Sequence, residues 1–399
     1  MLKNKDIVCF GPSDYWGMNP SCATHIMRHL AMANRVLYVN PVSSDLLGVR
    51  TRKGLGQRIL RKLKSMAKFI RRGGDNLFIL SPLFFPIQGN AIIDAVNNLL
   101  LKFQLRTVMF FIRMKRPILW VENIRAADVM GSFRRLAVIY HVSDRFDRCP
   151  YTRNKNKVMQ RESAVTANSD RIICVSRKLY EWKKSLGSKV CYLPHGVDFE
   201  LFRAAADGNT EFKSLAGVPR PIAGYFGTLT AENDIELLTY CCTQNPNVSF
   251  VFAGQITAGD YSGLSKLPNV FFLGRVPYEQ IPGLCANFNI CLLPWKVNEW
   301  IISCNPLKLL EYMASGKPIV SVYIDEIAAK YSDVLTIASN MDEFSKGIRN
   351  ELEHDNETRK NARIEIARKH SWNEHTRQLS EIIEQCLMPA QTSIGDKRA

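Results

Sequence analysis

Residues 303–320 read Ser-Cys-Asn-Pro-Leu-Lys-Leu-Leu-Glu-Tyr-Met-Ala-Ser-Gly-Lys-Pro-Ile-Val. The apolar spacing from Leu307 predicts a helix, and Gly316-Lys317-Pro318 ends it and turns the chain into a strand. Lys308 and Glu311, three residues apart, share one helix face. The amides at a helix N-terminus, joined by a lysine, favour a pyrophosphate. A carboxylate one turn further on accepts two ribose hydroxyls. The same residues also fit a surface ion pair on an ordinary amphipathic helix, and this segment alone does not decide between the two.

Outward from that helix the C-terminal half repeats one design. IAGYFGTL (222–229), SFVFAGQ (249–255), NVFFLGRV (269–276), NICLLPW (289–295) and PIVSVY (318–323) read as strands. DIELLTYCCTQ (234–244) and EQIPGLCANF (279–288) read as the helices between them. Such alternation argues for a parallel sheet. The N-terminal half opens the same way: DIVCFG (6–11), a loop through Tyr15-Trp16-Gly17, a helix THIMRHLAMA (24–33) and a strand RVLYVNP (35–41). NLFILSP, PILWVEN, LAVIYHVS and RIICVS follow as strands, and the last leads through a helix to KVCYLPHGVDFELF. The 399 residues therefore divide into two α/β domains. We place them at 1–199 and 200–372, followed by a helix at 373–388 that crosses back to the first domain and a frayed tail at 389–399.

The net charge of +16 is unevenly spread. Residues 1–199 hold 34 Lys and Arg against 13 Asp and Glu; residues 200–399 hold 19 against 24. The N-terminal half thus faces something anionic. Residues 50–72 carry ten cations and no acid, with Ile59, Leu60, Leu63, Met66, Ala67 and Ile70 at helical spacing. An interfacial helix lying on an anionic membrane surface fits this pattern; a solvated helix packed on the domain also fits. Nucleic acid is not expected, because no recognition fold or interleaved aromatics accompany the cations. No uncharged apolar run reaches the ~18–20 residues of a spanning helix, since Asp94, Lys102 and Arg106 interrupt the best candidate, Ile92–Ile112. Eleven cysteines without metal-ligand spacing, and no secretion signal, point to reduced thiols and a cytoplasmic protein.

Five segments, in order, resemble GT-B glycosyltransferases of the group 1 type, two Rossmann-like domains facing across a cleft. Tyr192-Leu-Pro-His-Gly-Val-Asp198 with Phe202 resembles the interdomain PNGVDxxxF stretch. Gly224-Tyr-Phe-Gly-Thr-Leu229 resembles the phosphate-side glycine turn, and Phe271–Pro282 the base-binding loop. Residues 306–320 are similar to the PxKxxEYxAxGKPVV helix, and His370-Ser-Trp-Asn373 to the start of the crossover helix. The nearest subgroup by pattern is that of teichuronic-acid and exopolysaccharide transferases. The resemblance implies that Glu311 binds ribose, Lys308 the diphosphate, and Gly227 and Thr228 a phosphate. It puts Val276 at the base with Tyr278 and Ile281 nearby, and Asn298 and Asn305 on the donor-sugar side. It implies a nucleotide-sugar co-substrate, with UDP the expected carrier, and neither cofactor nor metal. It also implies a lipid-linked saccharide or polysaccharide acceptor and peripheral attachment to the cytoplasmic face of a membrane. Two departures stand out. Many retaining members carry a glutamate where this chain has Ser303, and a Lys or Arg after the glycine turn where it reads Thr230-Ala-Glu-Asn-Asp234.

Asp144 is the catalytic candidate in the N-terminal half. It lies at the C-terminal end of the strand LAVIYHVS, where open α/β sheets hold ligands, and Tyr140–Asp144 is similar to the strand end of xanthan glucuronosyltransferase that carries its base. A base there gives inversion at the anomeric carbon; without one, a retaining mechanism remains. Asp147 competes, and Asp144 could equally cap a turn. His25 on the first helix, Gly17 before it and Glu162 are candidate acceptor or cleft residues, each open to a plain packing or surface role. His195 and Gly196 are expected to shape the cleft. The departures at Ser303 and after Gly227 leave a second reading, a non-catalytic scaffold of a membrane-surface complex.

Overall fold

The computed structural model describes residues 1–17, 20–41, 69–85, 90–150, 152, 154–208 and 211–388. The basic stripe, through residue 68, lies outside the described residues. Its last part, 70–72, is corrected by the structure. Ile70–Gly74 is a strand, not helix, because it pairs antiparallel with Leu77–Leu80 across a short turn.

Two Rossmann-like domains form. In the first, β1 (Asp6–Phe10), β2 (Arg35–Val39), β3 (Ile70–Gly74), β4 (Leu77–Leu80), β5 (Ile118–Val121), β6 (Ala137–Val142), β7 (Arg171–Cys174) and β8 (Val190–Tyr192) make one sheet. Its order is β3-β4-β2-β1-β5-β6-β7-β8, parallel except for the β3 edge. In the second, β9 (Ile222–Phe226), β10 (Ser249–Ala253), β11 (Val270–Gly274), β12 (Ile290–Leu293), β13 (Ile319–Val322) and β14 (Thr336–Ala338) are all parallel, in the order β11-β10-β9-β12-β13-β14. These strands are near-continuous apolar runs because helices cover both faces. In each sheet the strand order reverses beside the first strand, between β1 and β5 and between β9 and β12. Open α/β sheets bind ligands in the crevice at such points.

The helices of the first domain are α1 (Cys22–Ala31), α2 (Ala91–Phe111), α3 (Lys155–Ala167) and α4 (Arg177–Lys183). α5 (Phe199–Asp207), α6 (Ile235–Gln244), α7 (Ile281–Ala286), α8 (Leu307–Ala314), α9 (Asp325–Tyr331), α10 (Met341–His354) and α11 (Glu357–Lys369) belong to the second. Ser21 caps α1, Asn90 caps α2 and Asp234 caps α6, each accepting from a first-turn amide as its side-chain chemistry favours. α12 (Trp372–Leu387) is the crossover helix: Trp372, Leu379 and Ile383 bury themselves in the first domain's core with Ile26 and Leu30 of α1. No described helix is long and apolar enough to cross a membrane.

The two domains touch through specific bonds. Ser176 Oγ donates to the Ser303 carbonyl at 2.7 Å, and the Arg177 amide to Glu326 Oε2 at 2.6 Å. Tyr192 donates its hydroxyl to Glu326 Oε1 at 2.8 Å, and Arg148 pairs with Glu299 at 2.6 Å. The start of α8 is thereby aimed into the gap between the sheets.

Candidate active site

A cavity of about 430 Å³ opens at the switch point of the second sheet. The turn after β9, the loop after β11 and the first turn of α8 surround it. No side chain caps the N-terminus of α8, and no acid sits in its first turn, so the positive end of the helix stays open to an anion. Lys308 Nζ stands beside it, 3.3 Å from the Tyr225 hydroxyl and 4.8 Å and 5.2 Å from the ring centres of Tyr225 and Trp295. Cation–π contact holds the ammonium in place without a carboxylate that would neutralise it.

Two glycines bring the backbone up to this charge. Gly227 has φ +129°, which side-chain-bearing residues rarely adopt, and its amide donates to the Ala253 carbonyl at 2.9 Å. A Cβ on Gly254 would fall 1.8 Å from the Gly227 carbonyl oxygen, so the two turns can cross only while residue 254 is bare. A Cβ on Gly227 itself would come within 3.0 Å of Lys308 Nζ.

Glu311, one turn along α8, receives the Tyr278 hydroxyl at 3.3 Å. Burial pushes its carboxyl up to about 7, against the pull of Lys308 and the Tyr278 bond. A carboxyl poised there turns into a strong acceptor when hydroxyls such as those of a ribose approach. Val276, Ile281, Arg275, Thr228, Thr230 and Glu232 complete the walls.

A second cavity of about 360 Å³ shares Trp295, Cys304, Pro306 and Leu307 with the first and is otherwise lined by Asn305 and the N-terminal domain. Asp144 lies in it, beyond the end of β6. Its Oδ1 accepts from Trp300 Nε1 at 3.2 Å and from the Cys304 thiol at 3.5 Å. Burial raises the Asp144 carboxyl to about 6, opposed by those two bonds and aided by the charge of Glu122. Asp147 is instead occupied by Arg145, at 2.8 Å and 2.7 Å, which holds it below the usual range.

The structure brings Lys308, Glu311, Gly227, Thr228, Val276 and Tyr278 together around the first cavity. It distributes the other candidates differently. Asn305 faces the second cavity and donates to the Val175 carbonyl at 2.8 Å. Asn298 stands behind the wall: its Nδ2 donates to Glu232 at 2.5 Å, and its Oδ1 takes the amides of Trp300 and Ile301. His25 is buried, stacked on Trp372 with ring centres 5.0 Å apart and edge-on to Tyr278 at 5.6 Å. Burial, with Arg28 nearby, drops its pKa to about 3, so it packs as a neutral ring between the domains. Gly17 closes an exposed turn on the Asp14 carbonyl and lines neither cavity. Glu162 is engaged under the surface, paired with Lys183 at 2.5 Å and accepting from Thr166.

Sequence reasoning passed over Trp295, Trp300, Cys304, Glu232 and Glu122. Glu122 had a legible signal, an acid at the end of the strand PILWVEN, the same one that marked Asp144. The tryptophans had none, because the loop 294–302 has no period.

With this geometry in view, the comparisons agree on the class. The fold is GT-B, the two-domain architecture of nucleotide-sugar glycosyltransferases. It superposes on Anabaena HepE, solved with UDP and glucose, at a TM-score of 0.64, 14% identity and 96% of this chain against 99% of that one. It superposes on the sucrose-phosphate synthase of Thermosynechococcus elongatus at 0.71, with 13% identity over 96% and 99% of the two chains. Residues 220–354 match the family glycosyl transferases group 1. A stretch of 225 residues is 27% identical to the putative teichuronic acid biosynthesis glycosyltransferase TuaH of Bacillus subtilis (strain 168). That match spans 54% of this chain and 55% of the relative.

Proposed function

We propose that the protein transfers a sugar from a nucleoside diphosphate donor to a hydroxyl of a lipid-linked saccharide or polysaccharide. One arrangement carries the reading. The uncapped start of α8, with Lys308, Gly227 and Glu311, faces the first cavity, and Asp144 faces the second across a common wall. The diphosphate lies against the helix start and Lys308, whose fixed charge stabilises the leaving group. Glu311 takes the ribose hydroxyls. Asp144 removes the proton of the acceptor hydroxyl as it attacks the anomeric carbon, which inverts that centre. The presence of UDP in HepE supports uridine as the base, and the TuaH likeness supports a cell-wall or exopolysaccharide acceptor.

We place the enzyme on the cytoplasmic face of a membrane. The charge of residues 1–199 supports this, as do the exposed Ile92, Leu99, Phe103 and Phe110 on one side of α2. Ser303 supports the second reading, a scaffold without catalysis: it is buried, and its hydroxyl donates to the Glu299 carbonyl where many retaining members place a glutamate. One experiment separates the two. UDP-, GDP- and TDP-sugars are screened for thermal stabilisation, and donors that bind are incubated with membranes and the enzyme. Release of free nucleotide dependent on Asp144 supports transfer; binding without turnover for every donor supports the scaffold.

A further inference from the structure

We propose that Cys22, His141 and His195 form a binding site for a zinc-type divalent metal ion, one that clamps the interdomain segment to the first sheet. The three come from separate elements: Cys22 from the first turn of α1, His141 from β6, and His195 from the segment that links the domains. Their donor atoms all lie within 4.8 Å of one another. His195 Nδ1 is 3.1 Å from Cys22 Sγ, close to the ~3.5 Å edge expected between nitrogen and sulfur on a zinc tetrahedron. All three side chains are at least nine-tenths buried.

Two further observations point to a ligand. His141 Nδ1 stands 2.8 Å from Glu122 Oε1, which also receives the Trp120 indole at 3.0 Å. The carboxylate accepts from Nδ1 in that pair, which leaves Nε2 as the nitrogen available to a metal; an imidazole braced by a carboxylate is the usual outer support of a metal-bound histidine. That Nε2 is buried and has no hydrogen-bond partner, an arrangement that is unfavourable unless something fills it. A thiolate and two imidazoles suit zinc in preference to magnesium or calcium. Cys22 and His195 also line the second cavity. Burial keeps the Cys22 thiol well above its ordinary pKa and His195 well below. The metal-free site therefore holds a neutral Cys22 thiol beside a neutral His195 ring. On binding, the Cys22 S–H bond breaks, the sulfur bonds the metal, and one proton leaves to solvent. This site is separate from the donor cavity and does not depend on the proposed reaction.

The full chain, stripped with chelator and reloaded with zinc chloride, is gel-filtered and its metal measured by mass spectrometry. About one equivalent is expected, with about one proton released per ion in weakly buffered solution. Cobalt in its place should give a thiolate charge-transfer band. Cys22→Ser and His195→Ala should each abolish retention while far-ultraviolet circular dichroism and nucleotide binding stay unchanged. Glu122→Gln should weaken affinity roughly 10–100-fold. Cys149→Ser, outside the cluster, should retain the metal. Failure of the wild-type chain to retain stoichiometric metal overturns the proposal. So does retention by the Cys22 and His195 variants, or a cobalt spectrum without thiolate character.

Discussion

The Trp300 indole of the second domain donates its Nε1 proton to the Asp144 carboxylate of the first, at 3.2 Å. The candidate base is thus oriented by a side chain of the second domain, and its geometry exists only when the lobes are together. Burial sets its pKa at about 6, so it is ionised at neutral pH yet basic enough to take a proton in the transition state. Asp144→Asn should lower kcat by roughly 10²–10⁴ and leave nucleotide affinity within a factor of two or so. The stability effect has the opposite sign. A carboxyl with a raised folded pKa binds more protons folded than unfolded, so its contribution is lost as pH rises through about 6. Asn removes that penalty, and at pH 8 the variant should be more stable by on the order of 2 kcal/mol. Turnover assays and urea melts of the pair check both; unaltered turnover removes Asp144 from the mechanism.

Trp300→Phe tests the same bond from the other side. Phenylalanine keeps the ring and deletes the donor, so the ionised form of Asp144 loses one of its two hydrogen bonds. Its pKa should rise, and the acid limb of the kcat/KM profile should move to higher pH by roughly one unit. A purely packing role for Trp300 would lower the plateau without moving the limb. Cys304→Ala should move the limb in the same direction by less, since a thiol is the weaker donor.

What the sequence revealed follows from how local each signal is. The alternation of strands and helices, and the α8 helix with Lys308 and Glu311, are written in periods of two and 3.6 and in adjacent turns. They survive folding unchanged. Gly227 and Thr228 of the glycine turn line the first cavity, since a close approach of backbone is a local requirement that a glycine advertises. The loop 294–302 was opaque because Trp295 acquires its role by a contact with Lys308 on another element, and Trp300 only when the lobes meet. His25 illustrates the converse: from sequence it fits a cleft or a packing role alike, and the ring stacked on it belongs to Trp372, some 350 residues away in sequence. Ile70–Arg72 read as helix because their apolar spacing continued the preceding stripe, whereas an edge pairing with β4 decided the matter.

Glu311 should make nucleotide binding depend on pH. Its carboxyl, lifted to about 7 by burial, must be ionised to accept two ribose hydroxyls. Affinity for UDP should therefore hold above neutrality and fall as pH drops through about 7, on the order of tenfold by pH 6 for a group that must lose its proton. Binding should release protons below pH 7, visible as a buffer-dependent enthalpy in calorimetry. Glu311→Ala should cost 10–100-fold in affinity, as expected for hydrogen bonds to a charged group, and should flatten the profile. A wild-type profile that is level from pH 5.5 to 8.5 would refute the assignment of ribose to Glu311.

The crossing of the turns after β9 and β10 gives the last expectation. A methyl group at residue 254 would overlap the Gly227 carbonyl, 1.8 Å from the ideal Cβ, and backbone on both sides leaves no flexible neighbour to yield. The Gly227 turn must move outward. It carries its amide away from the Ala253 carbonyl and its peptide away from Lys308 Nζ. Overpacking of this kind costs about 1–3 kcal/mol of stability, which a fold of this size should survive. The damage to donor binding should be larger in proportion if, as we propose, the displaced turn is the one that meets phosphate. Gly254→Ala is thus expected to melt a few degrees lower and to lose UDP affinity while keeping uridine affinity nearly intact, since the Glu311 side is untouched. Gly263→Ala, at a position where an added Cβ meets nothing within 4 Å, is the control and should change neither. Equal losses for UDP and uridine in Gly254→Ala would show that the turn supports the whole cavity and not the diphosphate end alone.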